Sequence, residues 1–296
     1  MTKKIKKVWL IIAVLSSVLL LTITIIVSLW FLLPPNSGYK LFVMERFPIP
    51  LVRVNGSTIY TKQFYERVNS AKAFYKGTKK LEPIEDLIYS KLVYEEKVKQ
   101  LANTYKIKVT GLEVESEFSR IKSSYKIESN ISFENYLKSS GLTEDGFKKQ
   151  VVFPGLLKQH LLIWFNSNEN LNQKGFEKAN AVKKLLSEGS SFEEVSKTFN
   201  EDLLANKLDG TLGFIELNNL LPELKQGLEN LPNGELKILP SRMGIHVVKV
   251  VSREKNSPSG SDRIELQGIF IKLEDFELWF NNSTKNFAVH MFINYK

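Results

Sequence analysis

An unbroken apolar run lies close to the start of the chain. Residues 8–33 carry no charged side chain and are mostly Leu, Ile and Val, with Trp9 and Trp30 near the two ends. As a helix this run would be about 39 Å long, which exceeds the roughly 30 Å hydrocarbon core of a bilayer. A cleaved signal peptide has a shorter apolar region of about 7 to 15 residues and a cleavage site of small residues, whereas this run ends in Phe-Leu-Leu-Pro-Pro. The pattern therefore predicts an uncleaved transmembrane helix.

Positive charge immediately precedes this run. Residues 1–7 include four lysines and no acidic residue. Because the basic flank of a membrane helix stays in the cytoplasm, we expect a short cytoplasmic tail followed by a single span. The chain from residue 34 onward would then be extracytoplasmic, with 34–49 as a linker, in a protein of the cell membrane.

Residues 50–165 show a short strand pattern and then helical patterns. Alternation over 51–60 around the turn pair Asn55-Gly56 predicts a β-hairpin. Apolar spacing and N-cap residues then predict five helices: 61–76, 83–105, and three that begin at Thr110, Ser132 and Thr143, the last running to Phe165 with a kink at Pro154. These residues are therefore predicted to form a helical domain.

A polar stretch at 166–170 interrupts the helical pattern and marks a predicted domain boundary. Helical and strand patterns then alternate, and a last apolar segment covers 288–293. The helices are predicted at 176–187, 191–199, 220–231 and 275–280, and the strands at 212–215, 244–251 and 264–272. Residues 166–296 are therefore predicted to form a second, mixed domain, and the chain as a whole to have an α+β fold.

Composition narrows the range of possible chemistry. The chain of 296 residues has no cysteine and three histidines, His160, His246 and His290. A disulfide scaffold, a Cys-ligated zinc site and a thiol nucleophile are therefore excluded, and no metal or other cofactor is expected. Of the 41 basic residues, four precede the apolar run, and the charge of the other 37 is largely balanced by 32 acidic residues. Because this small excess is spread along the chain, nucleic-acid binding is not expected.

Three stretches of the predicted helical domain resemble the SurA-like chaperone domain. Residues 52–59, which read Val-Arg-Val-Asn-Gly-Ser-Thr-Ile, and the following Phe64 resemble its opening, while 133–137 and 141–147 resemble its later helices. The resemblance covers about residues 50–165. It implies a domain that holds polypeptide chains.

The second domain resembles the parvulin-type (PpiC) peptidyl-prolyl isomerase domain. The similar stretches are 191–202, 212–214, 221–224 and 244–250, the last reading Gly-Ile-His-Val-Val-Lys-Val. Membrane-anchored foldases of the PrsA and PpiD kind share this layout of anchor, chaperone part and parvulin domain. The resemblance implies an extracytoplasmic peptidyl-prolyl cis/trans isomerase that assists the folding of secreted or envelope proteins. Its partners would be unfolded or proline-containing polypeptides.

One strand departs from the family order. The parvulin domain of the family begins with a strand that reads approximately His-Ile-Leu-Val-Lys, and no such strand follows Phe165. A similar string, Leu-Gln-Gly-Ile-Phe-Ile-Lys, occurs at 266–272. We predict that the strand 264–272 completes the sheet from the C-terminal side, since antiparallel pairing needs only a short connection. The alternative is that 264–296 is the remnant of a second parvulin repeat.

The resemblance also implies a site. The polar residues of the active site would be His246, Asp202 and Ser241, and the pocket for the proline ring would be formed by Phe214, Leu220, Leu224 and Met243. A purely structural role remains an alternative for the two leucines, which could be core residues, and for His246 in its strand. His160 and His290 are expected to be structural.

Several residues depart from the family's active-site pattern. Gly268 stands where the first-strand histidine is expected, Leu220 and Leu224 replace Met and Phe, and Thr211 replaces Asp. These departures leave open a catalytically weak or inactive holdase that keeps the parvulin fold. A structural envelope protein that uses both modules as docking surfaces is a third alternative.

Overall fold

The apolar run near the N-terminus forms one long helix, α1 (Lys3–Leu32), in the computed structural model of the chain. The structure describes residues 3–33, 37–75, 83–128, 132–202, 208–255 and 262–295. Within α1 the stretch Ile11–Trp30 is long and apolar enough, by length and composition, to cross a membrane.

A second helix, α2 (Gly38–Arg46), occupies most of the predicted linker. Its N-cap is Ser37, whose hydroxyl accepts a hydrogen bond from the Lys40 backbone N–H at 3.3 Å. Met44 is buried and Leu41 packs beside it in a hydrophobic core. The helix is only nine residues long, and so short an apolar pattern does not stand out in the sequence.

The chain divides into two compact units that do not follow the chain order. The first comprises residues 1–96, 129–145 and 287–296, and the second comprises 97–128 and 146–286. The C-terminal segment therefore belongs with the N-terminal part of the chain, whereas the sequence pattern predicts it as part of the parvulin-like domain.

The first unit contains a three-stranded antiparallel sheet in the order β2-β1-β7 among the described residues. Its strands are β1 (Pro50–Val54), β2 (Ser57–Tyr60) and β7 (Val289–Met291). The predicted hairpin is confirmed: Asn55 and Gly56 form its turn with φ of 44° and 93°, the conformation that a two-residue turn requires. On the other edge of β1, β7 supplies antiparallel partners, so that this buried strand is paired on both sides.

The helices agree broadly with the predicted pattern. They are α3 (Thr61–Phe74), α4 (Ile84–Thr104), α5 (Gly111–Glu128), α6 (Phe133–Ser139), α7 (Glu144–Phe147), α8 (Phe153–Asn166), α9 (Gln173–Ser187), α10 (Phe192–Phe199), α11 (Pro222–Leu228) and α12 (Phe276–Thr284). Capping boxes begin α5 at Thr110 and α10 at Ser191. The irregularity expected at Pro154 takes the form of a π-helical turn over Lys148–Val152, which precedes the proline that cannot donate a backbone hydrogen bond.

The second unit contains a four-stranded antiparallel sheet in the order β3-β6-β5-β4 among the described residues. Its strands are β3 (Thr211–Glu216), β4 (Leu236–Ser241), β5 (Gly244–Glu254) and β6 (Arg263–Ile271). The prediction that a C-terminal strand completes this sheet is confirmed, because β6 lies between β3 and β5 and pairs with both. Strand β4, which contains Pro240, was not predicted from the sequence. A proline is tolerated there because β4 is an edge strand.

Helices cover both faces of this sheet. Ile245, Val247, Ile269 and Ile271 lie on one face and pack in one cluster with side chains of α9 and α10. The other face carries Val248, Val250, Ile264 and Leu266, which pack against Leu224 and Leu228 of α11. Since side chains alternate along a strand, His246, Gly268 and Phe270 share the face that α11 covers.

Candidate functional site

A cavity of about 190 Å³ lies on the α11 face of the sheet. Its lining is mainly apolar and includes Leu220, Leu224, Gly268 and Phe270, together with the polar residues Asp202 and His246. This space is several times the volume of about 30 Å³ that one water molecule takes in the liquid. It is therefore large enough for one small ring or side chain.

The structure brings together four of the residues that the resemblance implied and separates two others. Asp202, Leu220, Leu224 and His246 line this cavity, whereas Phe214 and Met243 do not and are 41% and 65% exposed. The register of β3 shifts between Thr211 and Gly213. Leu212 and Ile215 therefore line the cavity, while the Phe214 ring lies under the Arg263 guanidinium at 4.7 Å. Met243 belongs to the turn between β4 and β5, outside the cavity.

The tight turn between β4 and β5 sets the position of His246. Ser241 and Gly244 face each other across this turn. Gly244 has a φ of 151°, and a Cβ atom there would come within 2.6 Å of the Ile271 carbonyl oxygen. Only glycine allows this approach of β5 to β6. His246 follows two residues later and pairs with Phe270 across the strands.

Ser241 holds the imidazole ring of His246. The serine is fully buried, its Oγ lies 2.8 Å from His246 Nε2, and it accepts the Met243 backbone N–H at 3.0 Å. The hydroxyl proton then needs an acceptor, and the neutral Nε2 atom is the acceptor within reach. We assign the ring proton to Nδ1 on this basis. Among the described residues Nδ1 has no hydrogen-bond partner, so this N–H remains available to a bound molecule.

Burial keeps this ring neutral. It lowers the pKa of His246 from 6.5 to about 4, although the carboxylates of Glu223 and Asp202 act in the opposite direction. The side chain is therefore a neutral hydrogen-bonding group at physiological pH and not a cation.

This pKa shift predicts a specific loss of stability in acid. Between pH 6.5 and 4 the unfolded chain protonates His246 and the folded chain does not, so the free energy of unfolding falls as the pH falls through this window. We expect a contribution of about 1 to 3 kcal/mol. Urea unfolding of the wild type and of His246→Gln at several pH values measures it as the difference between the two curves. Parallel curves over this window would contradict the prediction.

Asn200 positions the segment that contains Asp202, a role that was not predicted from the sequence. Its amide Nδ2 donates to the Gly268 carbonyl at 3.4 Å, and its Oδ1 accepts the backbone N–H groups of Phe270 at 3.0 Å and Asp202 at 3.2 Å. The next residue, Glu201, donates its backbone N–H to the Phe270 carbonyl. These hydrogen bonds hold residues 200–202, and with them Asp202, against β6. The only sign of this role in the sequence is the polar run that directly follows the amphipathic helix α10.

An ion pair ties α11 to the turn that precedes His246. Arg242 donates from Nε and Nη2 to the Glu223 carboxylate at 2.9 and 3.0 Å, and its backbone N–H donates to the same group at 3.0 Å. Burial alone would raise the pKa of Glu223, but the hydrogen bonds from Arg242 lower it. Glu223 lies in the first turn of α11 beside Leu224, so this pair positions one wall of the cavity.

A larger cavity, of about 640 Å³, lies elsewhere in the same unit, between α5, α8 and α11. His160 lines it, and its ring contacts the Lys108 carbonyl at 2.9 Å and the Glu113 carboxylate at 3.2 Å. These contacts fit the structural role expected of His160. Within the part of the chain that the structure describes, no group of three or more His, Cys, Asp or Glu side chains could hold a metal ion.

Comparisons with known proteins match both halves of the chain. Residues 2–161 match the family model of the SurA-like N-terminal domain, and residues 147–254 match that of the PPIC-type PPIASE domain. Foldase protein PrsA 2 of Bacillus anthracis is 28% identical over 194 residues, which cover 57% of this chain and 63% of the relative. Foldase protein PrsA of Enterococcus faecalis is 26% identical over 234 residues, covering 72% and 64%. The chain thus spans less than two thirds of the length of these curated relatives.

A solved structure is also similar. The crystal structure of the peptidylprolyl isomerase PrsA from Bacillus anthracis aligns with 67% of this chain and 86% of that chain, at 23% identity and a TM-score of 0.22.

Proposed function

Since the chain belongs to the family with a SurA-like N-terminal domain and also contains a PPIC-type PPIase domain, we propose that it isomerises X-Pro bonds and assists the folding of polypeptide clients. Residues 50–165 would hold the client, and the four-stranded sheet of the second unit would carry the isomerase site. The observation that carries the proposal is the neutral His246, paired with buried Ser241, beside an apolar cavity.

The chemistry of isomerisation suits this arrangement. Rotation about an X-Pro bond meets a barrier of about 18 to 20 kcal/mol, chiefly from lost amide resonance, and no covalent bond is made or broken. The twisted amide nitrogen regains a lone pair that can accept a hydrogen bond, whereas the planar one cannot. The Nδ1–H of His246 would stabilise the twisted state, Asp202 would lie beside it, and Leu220 and Leu224 would contact the proline ring.

A holdase with little or no catalysis is the second candidate, because Gly268 lines the cavity with no side chain. The family has a histidine at this point of the strand, and its absence removes one polar group from the site. In this case the client would be held through apolar surface and the isomerase fold would serve only as scaffold.

An isomerisation assay with a proline peptide, run on the purified full chain, separates the two candidates. We expect a rate above the uncatalysed reaction, and a several-fold higher rate for Gly268→His. A Cβ atom at Gly268 would lie 3.0 Å from Leu212 Cδ1, and this half-exposed leucine can shift by the few tenths of an ångström required. Gly268→Ala is the matched control, because it adds the same Cβ without an imidazole. A wild type with no activity would favour the holdase.

The proposal also includes the location of the protein. We propose that α1 anchors the chain in the cell membrane as a single span, with the N-terminus in the cytoplasm and the chain from residue 34 onward outside. The apolar stretch Ile11–Trp30 and the preceding lysines support this orientation.

Protease treatment of cells tests this topology. The protease is added to cells whose outer layer is permeable or has been removed and whose cell membrane is intact. It should degrade the chain beyond α1, because no bilayer would protect that part of the chain. A cytoplasmic marker protein in the same cells should survive. Survival of the whole chain until the cells are lysed would contradict the proposed orientation.

A further inference from the structure

Helix α2 presents an unusual exposed face. Phe42 and Phe47 are 50% and 54% exposed, although Leu41 and Met44 of the same helix pack into the core of the first unit. The Arg46 guanidinium lies over the Phe42 ring at 4.1 Å. We call this surface, composed of Phe42, Arg46 and Phe47, the α2 face.

The α2 face lies next to the end of the candidate membrane span. Trp30, the last residue of that stretch, packs against the same core as Met44. The Lys40 ammonium lies over the Trp30 ring at 5.4 Å. Tryptophans at the ends of membrane helices sit at the level of the lipid headgroups. At 1.5 Å per residue, the rest of α2 reaches no more than about 10 Å beyond Lys40.

The composition of the α2 face matches a lipid surface. It joins two exposed aromatic rings to the Arg46 cation, and Lys40 of the same helix lies over Trp30. Glu45, the acidic residue of this helix, accepts a hydrogen bond from Asn69 of α3 at 3.2 Å. Aromatic rings partition into the boundary between headgroups and acyl chains, and Lys and Arg attract anionic phosphates there. Because the face is tethered to the span, its contact with lipid is an intramolecular event that needs little intrinsic affinity.

We propose that the α2 face lies on the outer surface of the membrane, with Phe42 and Phe47 inserted below the phosphates and Lys40 and Arg46 bound to anionic headgroups. This inference rests on the proposed span of α1. It would fix the first unit against the bilayer, so that the client-holding part of the chain stays close to the membrane surface.

Single-cysteine labelling of the full chain tests the proposal, because the chain has no native cysteine. Phe42→Cys and Phe47→Cys are the test variants. Leu20→Cys, exposed on α1, reports on the span. Phe74→Cys, which is as exposed as Phe47 but lies on α3, reports on water. Each variant carries a nitroxide label and is reconstituted in phosphatidylglycerol vesicles. Collision of the label with oxygen, which enters the bilayer, is compared with collision with a water-soluble nickel chelate.

We expect the oxygen-to-nickel ratio at positions 42 and 47 to exceed that at position 74 by several-fold and to stay below that at position 20. If position 20 is in the bilayer while 42 and 47 behave like 74, the inference is overturned and the span stands. If position 20 is also in water, both the span and the inference fail. Labels at 42 and 47 that are aqueous but become immobilised by an unfolded client would identify a client-binding surface and overturn the inference.

The proposed binding of Lys40 and Arg46 to anionic headgroups is tested by a separate measurement. With the label at position 47, the changes Lys40→Gln and Arg46→Gln together should lower the ratio in phosphatidylglycerol vesicles and have little effect in phosphatidylcholine vesicles. An unchanged ratio in the anionic vesicles would show that the cations do not bind headgroups, and it would overturn that part of the inference.

Discussion

A chain that ends at Arg253 is expected to lose the folded structure of its second unit. The deletion removes β6, which pairs with both β3 and β5, and leaves both of those strands with an unpaired inner edge. It also removes Ile264, Leu266, Ile269 and Ile271, all nearly fully buried. Truncation of one such side chain to alanine costs about 2 to 5 kcal/mol, and a domain has only about 5 to 15 kcal/mol of stability. The truncated chain should be insoluble or molten, without a cooperative thermal transition of that unit.

A chain that ends at Asn286 is the control for this deletion, because it keeps the whole second unit and loses only the segment that pairs with β1. Its second unit should resist limited proteolysis as the wild type does.

Point variants give a graded version of the same test. Ile269→Ala should destabilise by several kcal/mol, about 2 to 5, whereas Val251→Ala, at a half-exposed site on the neighbouring strand, should change stability by only about 0.5 kcal/mol. A truncation after Arg253 that leaves the transition of this unit unchanged would show that β6 is dispensable.

His246→Ala is expected to separate catalysis from client holding. Loss of the neutral imidazole removes the hydrogen-bond donor proposed for the twisted amide, so the isomerisation rate should fall by about ten-fold or more, equivalent to at least about 1.4 kcal/mol of transition-state stabilisation. Client holding depends mainly on exposed apolar area, so suppression of client aggregation should stay nearly intact. Both quantities can be measured on one preparation of the full chain.

Ser241→Ala is the matched variant, because it keeps the imidazole and removes the hydroxyl 2.8 Å from it. It should reduce the rate less than His246→Ala does. Thermal unfolding of both variants is required, since each leaves a buried polar group without its partner, which costs about 1 to 3 kcal/mol. If the wild type is active and His246→Ala is equally active with an intact fold, the assignment of the site is wrong.

The predicted site residues illustrate what a resemblance can and cannot transfer. Asp202 and His246, which are 44 positions apart in the sequence, line one cavity. Phe214 was expected in the same cavity, but one register shift in β3 directs Leu212 and Ile215 to it instead. A one-residue shift exchanges the two faces of a strand, and no local signal in the sequence reports it. Asn200 was similarly missed, because its partners on β6 are about 70 residues away.

Features that depend on neighbouring residues could be predicted from the sequence alone. The apolar run of α1, the Asn55-Gly56 turn and the capping boxes at Thr110 and Ser191 all follow from interactions within a few positions. Strand pairing, in contrast, became evident only from the folded structure. The fold placed Pro240 on an edge, where its missing N–H is tolerated, and it gave β1 a partner at the far end of the chain. Strand pairing is fixed by burial and by backbone hydrogen bonds between distant segments, and a local sequence pattern does not encode these interactions.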